Sequence, residues 1–156
     1  MSTNYVIPTP QSVSSLLAMI FGGQPGVSDS QAPELSGQHV ATFIDDDDKL
    51  VALCACDKQF VAYSGAALSM IPADVANEMI AGNSVTEAMI GNFYEVMNIC
   101  SKLLMSDTSA HLRLDKTLEP DQSQEAIATL KDAGQVKSFG IDIPQYGKGM
   151  LTFVIT

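Results

Sequence analysis

The spacing of apolar residues between positions 85 and 104 constrains the fold more than any other feature. These residues recur at intervals of three, four and seven, which is typical of one buried face of an α-helix. The face comprises Val85, Met89, Val96, Cys100 and Leu103, and Phe93, Met97 and Leu104 widen it. Ser84 with Glu87 fits a capping box, and Asn83 is an alternative N-cap. The pattern predicts a helix from Ser84 to about Met105.

Four residues on the opposite face of this helix form what we call the polar ridge. They are Gly91, Glu95, Asn98 and Lys102, at positions i, i+4, i+7 and i+11. Such a face either contacts only water or contacts another molecule, and the spacing is compatible with both. Asn is a mediocre helix former, and a helical Gly costs ~1 kcal/mol relative to Ala. A glycine on an exposed face removes bulk, which suits the close approach of another protein.

The segments before the long helix predict further elements. Thr9 or Ser12 caps a first helix, Pro10 suits its first turn, and Gly22 and Gly23 end it. Residues 24–38 are rich in turn-forming residues and are predicted as a loop. "HVATFIDDDDKLVALCACD" reads as a strand, an acidic turn and a second strand, and "KQFVAYSG" as a third strand.

The segments on either side of the long helix complete the prediction. "IPADVANEMIAGN" reads as a short helix that starts near Pro72, and "AHLRLDKTLE" alternates like a strand. A further helix begins at Pro120 or Asp121 and has Gly134 at its C-cap. "QVKSFGIDIP" and "GMLTFVIT" form a closing hairpin. We therefore expect one α/β (α+β) domain over residues 1–156, with an antiparallel sheet packed against the first and the long helix.

Charge and composition limit the partners. The net charge is −10, from 18 acidic and 8 basic residues, and no basic stripe is present. This argues against nucleic-acid binding and against an anionic membrane surface, and favours a partner with a basic patch. The start "MSTNYVIPTPQ" lacks the features of a signal peptide, and no apolar run has the length of a membrane span. The odd number of cysteines then favours reduced thiols and a cytoplasmic location.

Two short motifs invite a metal-site interpretation that their spacing does not support. "IDDDDK" lacks the alternating ligands, the glycine and the distal Glu of a calcium loop, so we interpret it as a charged hairpin turn. Cys54 and Cys56 share one face of a strand, but two further ligands at metal spacing are missing, and His39 and His111 are isolated. We expect buried structural thiols and no metal site.

The stretch "GNFYEVMN", Gly91 to Asn98, resembles the signature of the CheC, CheX and FliY phosphatases of bacterial chemotaxis. That signature has Asp or Ser, then Glu four residues later, then Asn after three more, and a proline just over twenty residues further on. Glu95 and Asn98 match, Pro120 is one residue short of the expected proline, and Gly91 replaces the leading Asp or Ser. The first helix carries no such pair, so the chain is most similar to the single-motif CheX form.

The resemblance implies an aspartyl-phosphate phosphatase whose substrate is a CheY-like response regulator. It assigns Asn98 the catalytic role of orienting water and gives Glu95 a catalytic role through an ion pair with a lysine of the regulator. Gly91, Glu95 and Lys102 would contact this partner. The protein would need no cofactor of its own, because Mg²⁺ is held in the regulator's pocket, and it would form a homodimer. The alternative is a binding module that docks or sequesters a response regulator or another signalling partner without catalysis.

Overall fold

A six-stranded antiparallel sheet with helices on both faces forms the architecture. The computed structural model describes residues 5–82, 86–130, 132 and 134–156. Strand order is β1-β5-β6-β3-β2-β4, and every neighbouring pair is antiparallel. The predicted α+β class with an antiparallel sheet is therefore confirmed. Along the chain the elements are α1 (Pro10–Phe21), β1 (Gly26–Ser30), β2 (His39–Ile44), β3 (Leu50–Cys56), α2 (Lys58–Leu68), α3 (Ala73–Ala81), α4 (Glu87–Cys100), a 3-10 turn (Ser101–Leu104), β4 (Arg113–Leu118), α5 (Gln124–Leu130), β5 (Gln135–Ile143) and β6 (Gly147–Ile155).

Helix α1 begins and ends where the local sequence predicts. The Thr9 side chain accepts a hydrogen bond from the Ser12 N–H, and the Ser12 hydroxyl accepts one from the Thr9 N–H. Pro10 occupies the first turn, where a missing N–H removes no helical hydrogen bond. Gly22 ends the helix with a φ of 69°, a left-handed conformation that glycine adopts without steric cost.

Residues 58–65, predicted as a third strand, belong instead to helix α2. The Asp57 side chain caps this helix by accepting a hydrogen bond of 2.8 Å from the Phe60 N–H. Phe60, Val61 and Ser64 are buried at helical spacing. The aromatic and β-branched residues of "KQFVAYSG" suggested a strand, but the N-cap and the packing against β6 and α4 favour the helix.

Other predicted element boundaries also differ from the structure. The loop over residues 24–38 contains the edge strand β1, whose register pairs Ser28 with Gly140 of β5. The long helix begins at Glu87 with Thr86 as its N-cap and gives way to the 3-10 turn after Cys100, before Met105. The candidate caps Asn83 and Ser84 lie outside the described residues. Helix α5 starts at Gln124 and ends at Leu130, so Pro120, Asp121 and Gly134 are not its terminal residues.

One large core fills the space between the sheet and three helices. Side chains of α1, α2 and α4 meet the inner face of the sheet there, including Leu17, Phe60, Phe93, Phe139 and Phe153, all fully buried. Helix α5 covers part of the opposite face through Ala126 and Leu130, which pack with side chains of β2, β3 and β6. The predicted packing of the sheet against α1 and α4 is confirmed, and α2 shares that layer. This packing holds α4 rigidly with one face outward.

Candidate functional site on helix α4

The four residues of the polar ridge are all exposed. Gly91, Glu95 and Asn98 lie on α4, and Lys102 lies in the 3-10 turn that follows. Directly behind them Met89, Phe93, Val96, Met97 and Cys100 are buried with no accessible surface. The predicted division of the helix into an apolar inner face and a polar outer face is therefore confirmed for the described residues. Val85, which was assigned to the inner face, lies outside them.

The polar side chains of the ridge are not used within the fold. In the described part of the chain, the side chains of Glu95, Asn98 and Lys102 make no hydrogen bond or ion pair. Asn98 takes part in the fold through its backbone, whose carbonyl accepts hydrogen bonds from the Ser101 N–H and, at 2.6 Å, from the Ser101 hydroxyl. A carboxylate and an amide that need no partner inside the protein remain available to a second molecule.

No contact or backbone conformation among the described residues requires a glycine at position 91. A Cβ atom built on it would meet nothing within 4 Å, and its backbone has no left-handed conformation. Gly65 on α2 provides a contrast, because a Cβ there would lie 3.2 Å from the Cβ of Asn92 and 3.3 Å from the Cε of Met89. Packing between α2 and α4 explains Gly65. Gly91 instead weakens an exposed helix without any compensating contact.

Helical geometry places Asn98 at one edge of the ridge and Glu95 at the other. At about 100° per residue, Glu95 lies about 60° to one side of Asn98 and Gly91 about 20° to that side, one to two turns towards the N-terminus. Beyond Glu95 on this side, Asn92 donates a hydrogen bond of 3.0 Å to the Gly65 carbonyl and ties α4 to α2. The Glu95 and Asn98 side chains therefore extend from a helix whose orientation is fixed by its neighbour.

Tyr94 is a member of this surface that the sequence analysis did not single out. Its side chain is 39% exposed, and it precedes Asn98 by four residues, so it lies about 40° from Asn98 on the side away from Glu95. The signal was present in the sequence, because residues i and i+4 share a helical face. Its aromatic ring, however, resembles a core side chain more than a member of a polar face.

The acidic segment 45–48 forms a hairpin turn, as predicted. The Asp45 carboxylate accepts hydrogen bonds from the N–H groups of Asp47 and Lys49, both at 2.9 Å. Two neighbouring side chains engage the tip: His111 lies 3.0 Å from Asp46, and Arg113 lies 2.6 Å from Asp48. These contacts account for the segment as a charged turn between β2 and β3.

The three thiols lie in the core beneath the ridge, as predicted. Cys54, Cys56 and Cys100 are free and fully buried, and the Sγ atoms of Cys54 and Cys56 are 3.9 Å apart. Burial raises the pKa of Cys56 and of Cys100 well above the usual value for a thiol. Full burial separates all three thiols from any molecule that binds at the surface, as expected for structural cysteines.

Neither a metal-binding cluster nor a membrane-spanning helix occurs among the described residues. No group of three or more His, Cys, Asp or Glu side chains among them is placed to hold a metal ion. In the same part of the chain, no helix has both the length and the apolar character needed to cross a membrane.

Comparison with known proteins identifies the fold by structure alone. No protein-family model and no curated protein sequence matches the chain. A chain of the FliM–SpeE complex from H. pylori superimposes with a TM-score of 0.65 and 9% identity, over 94% of this chain and 80% of that chain. FliY from Thermotoga maritima gives 0.61 and 16% identity over 93% and 82%. A chain of the H. pylori FliG–FliM complex gives 0.59 and 10% identity over 94% and 85%.

These likenesses extend over nearly the whole chain, so they apply to the complete arrangement of sheet and helices rather than to one motif. At such identities they establish the fold and leave the roles of individual residues open. The resemblance inferred from "GNFYEVMN" is confirmed at this level: the chain has the CheC/CheX/FliY-type fold, which it shares with FliY and with FliM-containing complexes.

Proposed function

We propose that this protein is a phosphatase that removes the phosphoryl group from an aspartyl phosphate on a CheY-like response regulator. The observation that carries the proposal is the pair Glu95 and Asn98, exposed side by side on α4 with no partner among the described residues. The pair stands at the spacing of the family signature, on the fold of FliY. Gly91 beside it leaves room for the surface of a second protein.

Asn98 has the chemistry needed to position the attacking water. Its amide both donates and accepts hydrogen bonds, so it can hold a water in line with the phosphorus without exchanging a proton. The water oxygen forms a bond to phosphorus, and the bond between phosphorus and the aspartate oxygen breaks. Inorganic phosphate leaves and the aspartate carboxylate is regenerated. Positioning of this kind accounts for catalysis without a nucleophilic side chain on α4.

Glu95 supplies the electrostatic contact in this proposal. Its free carboxylate pairs with a lysine that stands beside the phosphate of the regulator, and the net charge of −10 favours approach of a basic surface. Mg²⁺ in the regulator's own acidic pocket neutralises charge on the phosphoryl oxygens, so this chain contributes no metal ligand. Lys102, four residues beyond Asn98, contacts the partner at the end of the ridge. Such a reaction takes place in the cytoplasm, where we place the protein.

Substitutions at the two positions test the proposal with different expected effects. Asn98→Ala should slow dephosphorylation about 100-fold while the regulator still binds, because the amide acts on the transition state. Glu95→Ala should weaken binding, and more strongly at low salt, where the ion pair is least screened. Glu78→Ala is the matched control, since Glu78 is an exposed glutamate on the separate helix α3. Binding is measured with a regulator carrying beryllofluoride and Mg²⁺, and turnover by decay of its aspartyl phosphate.

The second candidate is a binding module that uses the same surface without catalysis. It is favoured by the FliM neighbours, whose structures were determined as complexes with SpeE and with FliG. In that case the wild-type protein binds the phosphorylated regulator and leaves its rate of phosphate loss unchanged or lowers it. A regulator whose decay is not accelerated by the wild-type protein, although the two bind, would establish this alternative.

A further inference from the structure

Tyr94 is the exposed aromatic side chain closest in sequence to the proposed catalytic amide. Among the described residues, the other large hydrophobic side chains with substantial exposure are aliphatic and lie outside α4: Met19, Met70, Val75 and Val136. The Tyr94 hydroxyl has no hydrogen-bond partner in that part of the chain. The fold therefore leaves part of this side chain, 39% of its surface, available to a second molecule.

Tyr94 and Glu95 lie on opposite sides of Asn98 around the helix axis. Asn98 lies between Glu95, about 60° to one side, and Tyr94, about 40° to the other. Tyr94 is about 6 Å from Asn98 along the helix axis, and Glu95 about 4.5 Å. A molecule that covers Asn98 at close range therefore contacts the ring of Tyr94 as well as the carboxylate of Glu95.

Neither helix propensity nor the buried core requires a tyrosine at this position. Tyrosine is a weaker helix former than alanine, and this side chain is not part of any buried cluster. At protein interfaces, in contrast, tyrosine is among the residues that contribute most to binding, because a rigid ring buries a large area at low entropic cost. Beside an ion pair, a ring of this kind also excludes water and strengthens the electrostatic attraction.

We propose that Tyr94 anchors the response regulator, its ring packing against an apolar patch of the regulator that borders the phosphorylated aspartate. This inference rests on the proposed function and adds a requirement for the partner. The recognised surface has a lysine on one side of the phosphate and an apolar recess on the other, with the Asn98 amide reaching the phosphate between them. Tyr94 is a docking residue and takes no part in the chemical step.

Three variants test the assignment against the wild type. Tyr94→Ala removes the ring, Tyr94→Phe keeps the ring without the hydroxyl, and Met19→Ala removes a large side chain that is 82% exposed on α1. Each is titrated with a purified CheY-like regulator that carries beryllofluoride and Mg²⁺. Decay of the aspartyl phosphate is then followed at saturating concentrations of each variant. Thermal unfolding of each variant separates binding effects from folding effects.

The expected result is that Tyr94→Ala weakens binding about tenfold or more, while Tyr94→Phe stays within about threefold of the wild type. Met19→Ala should bind like the wild type. At saturation, Tyr94→Ala should dephosphorylate the regulator at the wild-type rate, and its unfolding temperature should be equal or higher, because alanine favours the helix. A lower unfolding temperature together with weaker binding would assign Tyr94 a structural role and overturn the proposal.

The remaining outcomes distinguish this inference from the proposed function. Unchanged binding by Tyr94→Ala, alongside an active wild-type enzyme, overturns the role of Tyr94 and leaves the phosphatase proposal intact. Weakened binding by Tyr94→Ala, in a protein that never accelerates phosphate loss, overturns catalysis and supports the docking role. A wild-type protein that binds no CheY-like regulator overturns both.

Discussion

Replacing Gly91 by alanine should make the protein more stable. Alanine is favoured over glycine in a helix interior by about 0.8–1 kcal/mol. The added Cβ would meet nothing within 4 Å, so no steric cost offsets this gain. We therefore expect the free energy of unfolding to rise by about 0.5–1 kcal/mol, which corresponds to about 1–4 °C in Tm for a chain of this size. Urea unfolding and calorimetry measure both quantities.

Gly65→Ala is the matched control, because its Cβ would press on Asn92 and Met89 at 3.2–3.3 Å. At position 65 these contacts should reduce or reverse the gain in stability that alanine's helix propensity provides. If Gly91→Ala lowers stability, the reasoning that Gly91 serves no purpose inside the fold is wrong. Gly91→Leu extends the test to function: its bulk should weaken binding of the regulator while the helix stays intact, and unchanged binding would remove Gly91 from the docking surface.

Two further predictions concern assembly and pH. The chain should form a homodimer, since β1 and β4 are the two edges of the sheet and edge strands favour pairing. Light scattering should give a mass twice 16.6 kDa. A monomer at high micromolar concentration would contradict this prediction. His39 is buried against Phe93, and burial lowers its pKa below 6.5 although Glu119 opposes the shift. The unfolded chain then takes up the proton first, so stability should fall as pH drops below about 6.5. His39→Gln should reduce this dependence, and an unchanged pH profile of urea unfolding would exclude His39 as its cause.

The parts of the fold with strong periodicity could be predicted from the sequence. The apolar spacing of α4 identified its buried face, and the acidic turn and the closing segment identified two hairpins. The N-cap and the glycine of α1 located both of its ends. In each of these cases the local sequence pattern and the tertiary contacts favour the same conformation. The local pattern alone was therefore sufficient to predict the element.

The errors arose where local composition and tertiary context disagree. "KQFVAYSG" contains strand-favouring residues, but Asp57 caps a helix that packs between β6 and α4. Strand β1, with the sequence "GVSDS", lies at the sheet edge and has no clear alternation, so its polar residues resembled a loop. Tyr94 shares a helical face with Asn98 by its i, i+4 spacing, but its aromatic ring resembled a core side chain until the structure showed its exposure.

The most direct test of the proposed phosphatase is the decay of aspartyl phosphate on a purified CheY-like regulator from the same organism. The regulator is phosphorylated with a small-molecule donor, Mg²⁺ is present, and the decay rate is measured alone, with the wild-type protein and with Asn98→Ala. We expect the wild type to accelerate the decay and Asn98→Ala to lose nearly all of that acceleration while binding equally well. An acceleration that survives in Asn98→Ala would contradict the catalytic role of the amide, and the absence of any acceleration by the wild type would contradict the phosphatase function itself.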